Sequence, residues 1–247
     1  MACESEGSDY AVVRKRLQAL PTSIKREVVA EASSYPVYRV TVGPHISRPL
    51  IWINAGTHGD EPATVETALT FLESGIAENF PNTRIIVTPC LNPYGYVNGK
   101  RENEAGIDVN WAFKLDIPEI ALVKQMTGEE RYEAVIDLHE DWESPGFYLY
   151  EQCRSGQKLG HRISDLVAEV CPVNNSPQIE GEIADRGVIY PDLEALKRRD
   201  GDGVPVEIFK RATDHHVTSE SPSEKPIPVR VDAHMVAIRV FLEAYGE

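Results

Sequence analysis

Leu50-Ile51-Trp52-Ile53-Asn54-Ala55 runs directly into Gly56-Thr57-His58-Gly59-Asp60-Glu61. The first six residues are almost wholly apolar and read as a strand buried on both faces, as in a parallel sheet covered by helices. The next six form a loop whose two glycines let the backbone turn sharply. Pro62 then suits the first turn of a helix that Val65, Leu69 and Leu72 continue. Similar apolar runs at residues 84–88, 134–138 and 147–150 predict three more buried strands. Pro89 stops the first of them, and Asn92-Pro93-Tyr94-Gly95 follows as a turn. Strands alternating with helices imply an α/β fold: a single domain over residues 1–247, with a mixed, mainly parallel central sheet flanked by helices. In such sheets, sites form where strands end and loops begin.

Outward from this centre, residues 9–20 read as a helix with Val12, Val13, Leu17 and Leu20 on one side, ended by Pro21. Residues 27–32 and 37–42 read as two strands joined by the turn Ser33-Ser34-Tyr35-Pro36. An irregular stretch leads to residue 113, and a helical pattern resumes over 118–126. Residues 160–170 predict an amphipathic helix with Ile163, Leu166, Val167 and Val170 aligned, and 172–190 are rich in loop residues. Residues 204–209 and 216–219 read as late strands, and 229–245 as a closing helix.

The chain has 247 residues, 42% hydrophobic and 26% charged, with 25 Lys+Arg against 39 Asp+Glu and a formal charge of −14. That balance excludes a wholly disordered chain and argues against a nucleic-acid partner, which needs a basic face. It favours, weakly, cationic small substrates. Cys3, Cys90, Cys153 and Cys171 form no CxxC pair, so neither a cysteine zinc site nor a disulfide scaffold is expected. The acidic, polar opening MACESEGSDY lacks signal-peptide character, and no apolar run approaches the ~18 residues of a membrane span. The expectation is a reduced, cytoplasmic protein with no membrane partner.

Three signals carry possible chemistry. His58-Gly59-Asp60-Glu61 places an imidazole and a carboxylate three positions apart at a helix start, where they can converge on one metal. Taken alone, this is more often a polar loop whose Glu61 favours the helix N-terminus. His139 ends a buried strand in Val135-Ile136-Asp137-Leu138-His139-Glu140, a usual place for a third zinc ligand, and Asp137 is a candidate to orient it or to anchor backbone nearby. Glu220, in Thr218-Ser219-Glu220, supplies a free carboxylate of the kind hydrolysis needs as a general base. Two His and one Glu with a later Glu are the minimum set for a zinc hydrolase with an open coordination position. His215-His216 is a weak second metal signal, since adjacent strand residues face opposite ways. Tyr148 and Tyr150 share one strand face and read as core or pocket wall. The chain contains no His-Glu-x-x-His, no Gly-x-Ser-x-Gly and no P-loop.

The ordered set His58-x-x-Glu61, Asn92-Pro93-x-Gly95, Arg101, Asp108-x-Asn110, His139 and Glu220 resembles the zinc metallocarboxypeptidase family, over roughly residues 50 to 240. The separation of 78 positions between Glu61 and His139 suits its compact members and the related aspartoacylase and succinylglutamate desuccinylase branch. The resemblance implies one Zn2+ per chain on His58, Glu61 and His139, with Glu220 as base and Arg101 on the oxyanion. It implies Asn110 and Arg101 as substrate contacts and, more loosely, Tyr190. The implied activity is hydrolysis of a peptide or amide bond, carboxypeptidase-like, in a small peptide or N-acyl amino acid. The alternatives are an N-acyl amino acid deacylase and a non-catalytic zinc- or ligand-binding module of the same fold. One position departs from the family: Trp111 stands where an Arg usually grips the substrate's terminal carboxylate. Either a distant cation such as Arg186 or Arg230 replaces it, or no free carboxylate is required.

Overall fold

The computed structural model describes residues 8–44, 49–154, 157–192 and 203–247. Cys3 lies outside them; Cys90 and Cys171 are free thiols. The strand that opens the sequence argument, β3 (Leu50–Asn54), is buried at every residue. It pairs in parallel with β4 (Arg84–Thr88) on one side and with β5 (Ala134–Asp141) on the other. The next strand, β10 (His215–Pro222), is parallel to β5. The other strands are β1 (Lys25–Ala32), β2 (Tyr35–Val42), β6 (Tyr148–Cys153), β7 (Gln178–Ile179), β8 (Glu182–Asp185) and β9 (Val188–Ile189). Among the described residues the sheet order is β1-β2-β4-β3-β5-β10-β6-β9-β8-β7, a mixed sheet with a parallel centre and mostly antiparallel flanks. The stretch expected to be loop-rich therefore contributes three short strands.

Helices cover both faces. One face packs against α1 (Tyr10–Ala19), α2 (Pro62–Glu73), α5 (Gly160–Val167) and the last helix, Ile227–Tyr245. The opposite face, with Leu50, Trp52, Ile86 and Val135, packs against α4 (Pro118–Glu129) and α6 (Val204–Arg211). The short α3 (Pro93–Asn98) replaces the expected turn at residues 92–95. In chain order the last helix is α7. The chain leaves β3 through α2 toward β4 and returns to β3's other side through β5. The carboxyl ends of β3 and β5 thus flank a topological switch point, where open α/β sheets place their ligands.

Residues 204–209, expected as a strand, are instead helical in α6. Their β-branched composition suggests a strand, but buried Val204, Glu207 and Ile208 recur at helical spacing, and Pro205 fits a first helical turn better than a strand interior. Two further details differ. Val12 is exposed and Tyr10 takes its place on the buried side of α1. Helix α5 stops at Val167, and both Leu166 within it and Val170 beyond it are exposed.

Candidate metal centre

The loop after β3 is held in a tight path. Gly56 has φ +65° and lies so close to Cys90 that a Cβ would sit 2.9 Å from its Cα. A Cβ on Gly59 would lie 1.8 Å from the Gly95 carbonyl carbon, so only glycine permits the loop to press against α3. Asn92 fixes that helix by accepting the Gly95 N–H at 2.9 Å. The result buries His58, 2% exposed, just past the carboxyl end of β3.

Glu61 is the N-cap residue of α2, yet its side chain does not cap the helix. It turns to the histidines: Oε1 lies 2.6 Å from His58 Nδ1, and Oε2 lies 3.0 Å from His139 Nδ1. Glu140 takes over the helix start, accepting the Ala63 N–H at 2.6 Å and pairing with Arg230 through its other oxygen. Each side chain on β5 thus serves its own face: His139 faces the crevice, and Glu140 faces α2 and α7.

His58, Glu61 and His139 offer donor atoms within 4.8 Å of one another, and all three are buried. The two Nδ1 atoms are 3.2 Å apart. Ligands ~2.0–2.1 Å from a tetrahedral ion stand about 3.3 Å from each other, so the two Nδ1 atoms are spaced as a pair of ligands would be, while Glu61 Oε1 sits at hydrogen-bond distance from His58. Glu61 Oε2 is buried and faces His139 Nδ1 at 3.0 Å, so both oxygens of this carboxylate are turned to imidazoles. Burial opposes charge in this cluster, but attraction wins. Glu61's pKa falls because the two imidazoles face it, and the pKa values of both histidines rise, His139's well above the usual range.

The outer nitrogens have carboxylates of their own. His58 Nε2 lies 3.1 Å from Asp108 Oδ1, and Arg101 Nε donates to Asp108 Oδ2 at 2.9 Å. Against the pull of burial, His58 and Arg101 hold Asp108's pKa at about 2. His139 Nε2 is 3.6 Å from Asp137 Oδ1, which accepts from Asn54 Nδ2 at 2.8 Å. Such outer carboxylates orient imidazole ligands. Reading by sequence quoted Asp108 only as part of the Asp108-x-Asn110 motif and missed this link to His58.

Arg101 also approaches the cluster directly, with Nη1 3.9 Å from Glu61 Oε1. Asn110 lies in a 3-10 turn pinned by its own N–H on Asp108 Oδ1, at 2.9 Å, and its Oδ1 is buried without a hydrogen-bond partner. Glu220 stands in register with His139 on the neighbouring parallel strand and with Tyr148 on the antiparallel one. In-register residues on adjacent strands face the same side at about 4.8 Å, so Glu220 sits beside a histidine of the triad. Burial pushes its carboxyl up to about 8, against the pull of His139.

Three expected residues are not brought to the triad. Tyr190 packs on the α5 face of the sheet, with Lys158 Nζ 3.8 Å from its ring centroid and His161 at its edge. Arg186 pairs with Asp165 of α5 at 2.8 Å. Arg230 is buried on Glu140, on the far side of β5. Neither arginine supplies the cation missing at Trp111, which is 54% exposed. His215 and His216 diverge as strand neighbours must: His215 bonds Glu151 and Tyr245, while His216 has no hydrogen-bond partner among the described residues.

The fold has solved counterparts. A candidate metallopeptidase from Shewanella amazonensis aligns with 20% identity and TM-score 0.80, over 96% of this chain and 92% of that one. A second from Shewanella denitrificans aligns with 18% identity and TM-score 0.78, over 94% and 87%. Carboxypeptidase A from Helicoverpa armigera aligns with 14% identity and TM-score 0.70, over 96% and 73%. No curated protein matches by sequence. The profile of the succinylglutamate desuccinylase/aspartoacylase catalytic domain matches residues 47–178, more than half of the chain, spanning the three converging residues. The chain belongs to the succinylglutamate desuccinylase/aspartoacylase catalytic-domain family and has a carboxypeptidase-like fold.

Proposed function

We propose that this chain is a zinc-dependent hydrolase of peptide or amide bonds, acting within one carboxypeptidase-like domain. The observation that carries this reading is the register of Glu220 with His139, which sets a fourth, separate acid-base side chain beside a converging His-Glu-His cluster. A binding module needs the cluster but not the neighbouring acid. His58, Glu61 and His139 would hold the zinc, and two nitrogens with one carboxylate are a donor set zinc accepts while keeping a position open. Bound zinc supplies Lewis acidity, acidifying water and polarising a carbonyl.

The chain's own residues do the rest. Glu220 takes the proton of the attacking water and returns it to the leaving nitrogen. Arg101, held by Asp108, faces the charge that develops on the carbonyl oxygen, where a fixed cation acts most strongly. Asn110 contacts the substrate. Asp108 and Asp137 orient the two imidazoles.

A second reading, deacylation of an N-acyl amino acid, is favoured by the family match. The test is hydrolysis by the zinc-loaded protein of a panel of dipeptides and N-acyl amino acids, beside Glu220→Gln. Turnover that requires metal and Glu220 supports the reading; turnover by the Gln variant at the parent rate refutes it.

A further inference from the structure

We propose that Asp137 and His216 hold a buried water beneath the metal centre, and that His216 thereby acts as a positioning residue for His139. The positioning role rests on the metal reading above; the water site rests on the sheet alone.

Strand register sets the residues in rungs across β3, β5, β10 and β6, on the face that carries Trp52 and Val135. The upper rung is His139, Glu220 and Tyr148. Below it run Asn54, Asp137, Thr218 and Tyr150, and below those Trp52, Val135, His216 and Gln152. Residues two apart on a strand share a face, and adjacent strands stand about 4.8 Å apart. Asp137 therefore lies one rung below His139 on its own strand. His216 lies one rung further down on the adjacent strand, and each of Asp137 and His216 feels the other's charge.

The direct contacts stop short of pairing these groups. Asn54 Nδ2 donates to Asp137 Oδ1 at 2.8 Å and to Thr57 Oγ1 at 3.1 Å. A carboxylate only accepts, so Asn54 must turn its amide nitrogen to Asp137 and keep its oxygen free. His139 Nε2, at 3.6 Å from the same Oδ1, is beyond hydrogen-bond distance. Six buried atoms have no hydrogen-bond partner among the described residues: Asn54 Oδ1, Asp137 Oδ2, His139 Nε2, Gln152 Oε1 and both ring nitrogens of His216. Asn54, Asp137 and His216 have no exposed surface, and Gln152 is buried beside them.

The chemistry of these atoms states what they need. Burial pushes the His216 imidazole down to about 4, so it is neutral, with one N–H and one acceptor nitrogen. A His139 that ligates through Nδ1 carries its proton on Nε2. The set then holds four acceptors against two donors, and no exchange among the side chains pairs them all. Water supplies the missing O–H donors and accepts the His216 N–H in return. Buried waters typically make about three hydrogen bonds to groups of this kind. Asp137 is then held at both oxygens, Oδ1 by Asn54 and Oδ2 by the water, which fixes the carboxylate facing His139. Outer partners of this sort set the plane of a ligating imidazole.

The test begins with a crystal structure of the full chain at a resolution that orders internal water. A water within about 2.7–3.2 Å of both Asp137 Oδ2 and a His216 nitrogen is expected; no water there, or a metal cation in its place, overturns the proposal. The positioning role is read in Zn2+ affinity, by chelator competition, and in the visible spectrum of the Co2+-loaded protein, which reports ligand geometry. His216→Leu should weaken Zn2+ binding about 10-fold and shift the Co2+ bands. His216→Gln keeps a donor and an acceptor and should restore both. On an Asp137→Asn background, His216→Leu should cost less than about threefold, because its effect passes through Asp137. A Leu variant that melts lower yet keeps parental affinity and spectrum overturns the positioning role, as does full additivity with Asp137→Asn. If the Leu variant does not fold, the Gln variant decides: affinity and the ordered water must be kept or lost together, and either without the other overturns the role. A parent that binds neither ion fails the metal reading and the positioning role with it, while the water site still stands or falls on the crystal structure.

Discussion

Replacing Arg230 by Met tests the support beneath the triad. The Arg230 side chain is 10% exposed and its partner Glu140 is fully buried. Met keeps much of the volume but leaves the Glu140 carboxylate without its cation. Breaking a buried pair from one side costs about 3–5 kcal/mol, because the remaining charge stays desolvated. In a domain of this size each kcal/mol moves the melting midpoint by ~2–4 °C, so a fall of roughly 6–20 °C is expected. Glu140 would still accept the Ala63 N–H at the start of α2, so Glu61 should keep its place and metal affinity should change little. Glu140→Leu alone strands Arg230 and frees the first turn of α2, so both stability and metal affinity should fall. The double variant removes both charges and leaves only the Ala63 N–H unpaired, at about 1–3 kcal/mol. It should therefore be more stable than either single variant. The assay is thermal unfolding with calorimetry, and competition with a chelator for metal affinity. A loss below about 1 kcal/mol for Arg230→Met, or a double variant as unstable as the sum of the singles, would refute the reasoning.

Elemental analysis should find one zinc per chain, lost in His139→Ala, and chelation should lower the melting midpoint, because a ligand bound only to the folded state stabilises it. Glu220→Gln should keep fold and metal while turnover falls by a factor on the order of 10²–10⁴, read under saturating substrate; turnover equal to the parent's would remove Glu220 as the base. Asp108→Ala should weaken metal affinity roughly 10- to 100-fold by releasing His58, and an unchanged affinity would deny its orienting role. The parent should prefer a peptide acid over its C-terminal amide by less than ~100-fold, about 2.7 kcal/mol, and Trp111→Arg should increase that preference; a larger preference in the parent would contradict the account of position 111.

The apolar run at residues 50–55 and the proline-started helix after it were legible because burial on two faces and helix initiation are local demands on residue type. The same holds for β4 and for the start of β5. Residues 204–209 misled because β-branched composition and helical spacing disagree there, and packing against the Trp52 side of the sheet decided for the helix. The residues of the triad could be named from the sequence because the ordered set His58-x-x-Glu61, His139 and Glu220 resembles the zinc metallocarboxypeptidase family, although each piece alone is a weak signal.

What the sequence by itself determined was the α/β class, the buried central strands and the chemical types available at their ends. Only the tertiary structure decided that His139 meets the Glu61 carboxylate at 3.0 Å, that Glu220 lies in register beside it, and that Tyr190 falls on the other face of the sheet. The same holds for Arg230, consumed by Glu140, and for Asp108, which joins His58 to Arg101. The physical reason is that a strand's periodicity states which residues share a face, whereas strand order and register, settled by packing between segments distant in sequence, state which residues that face will meet.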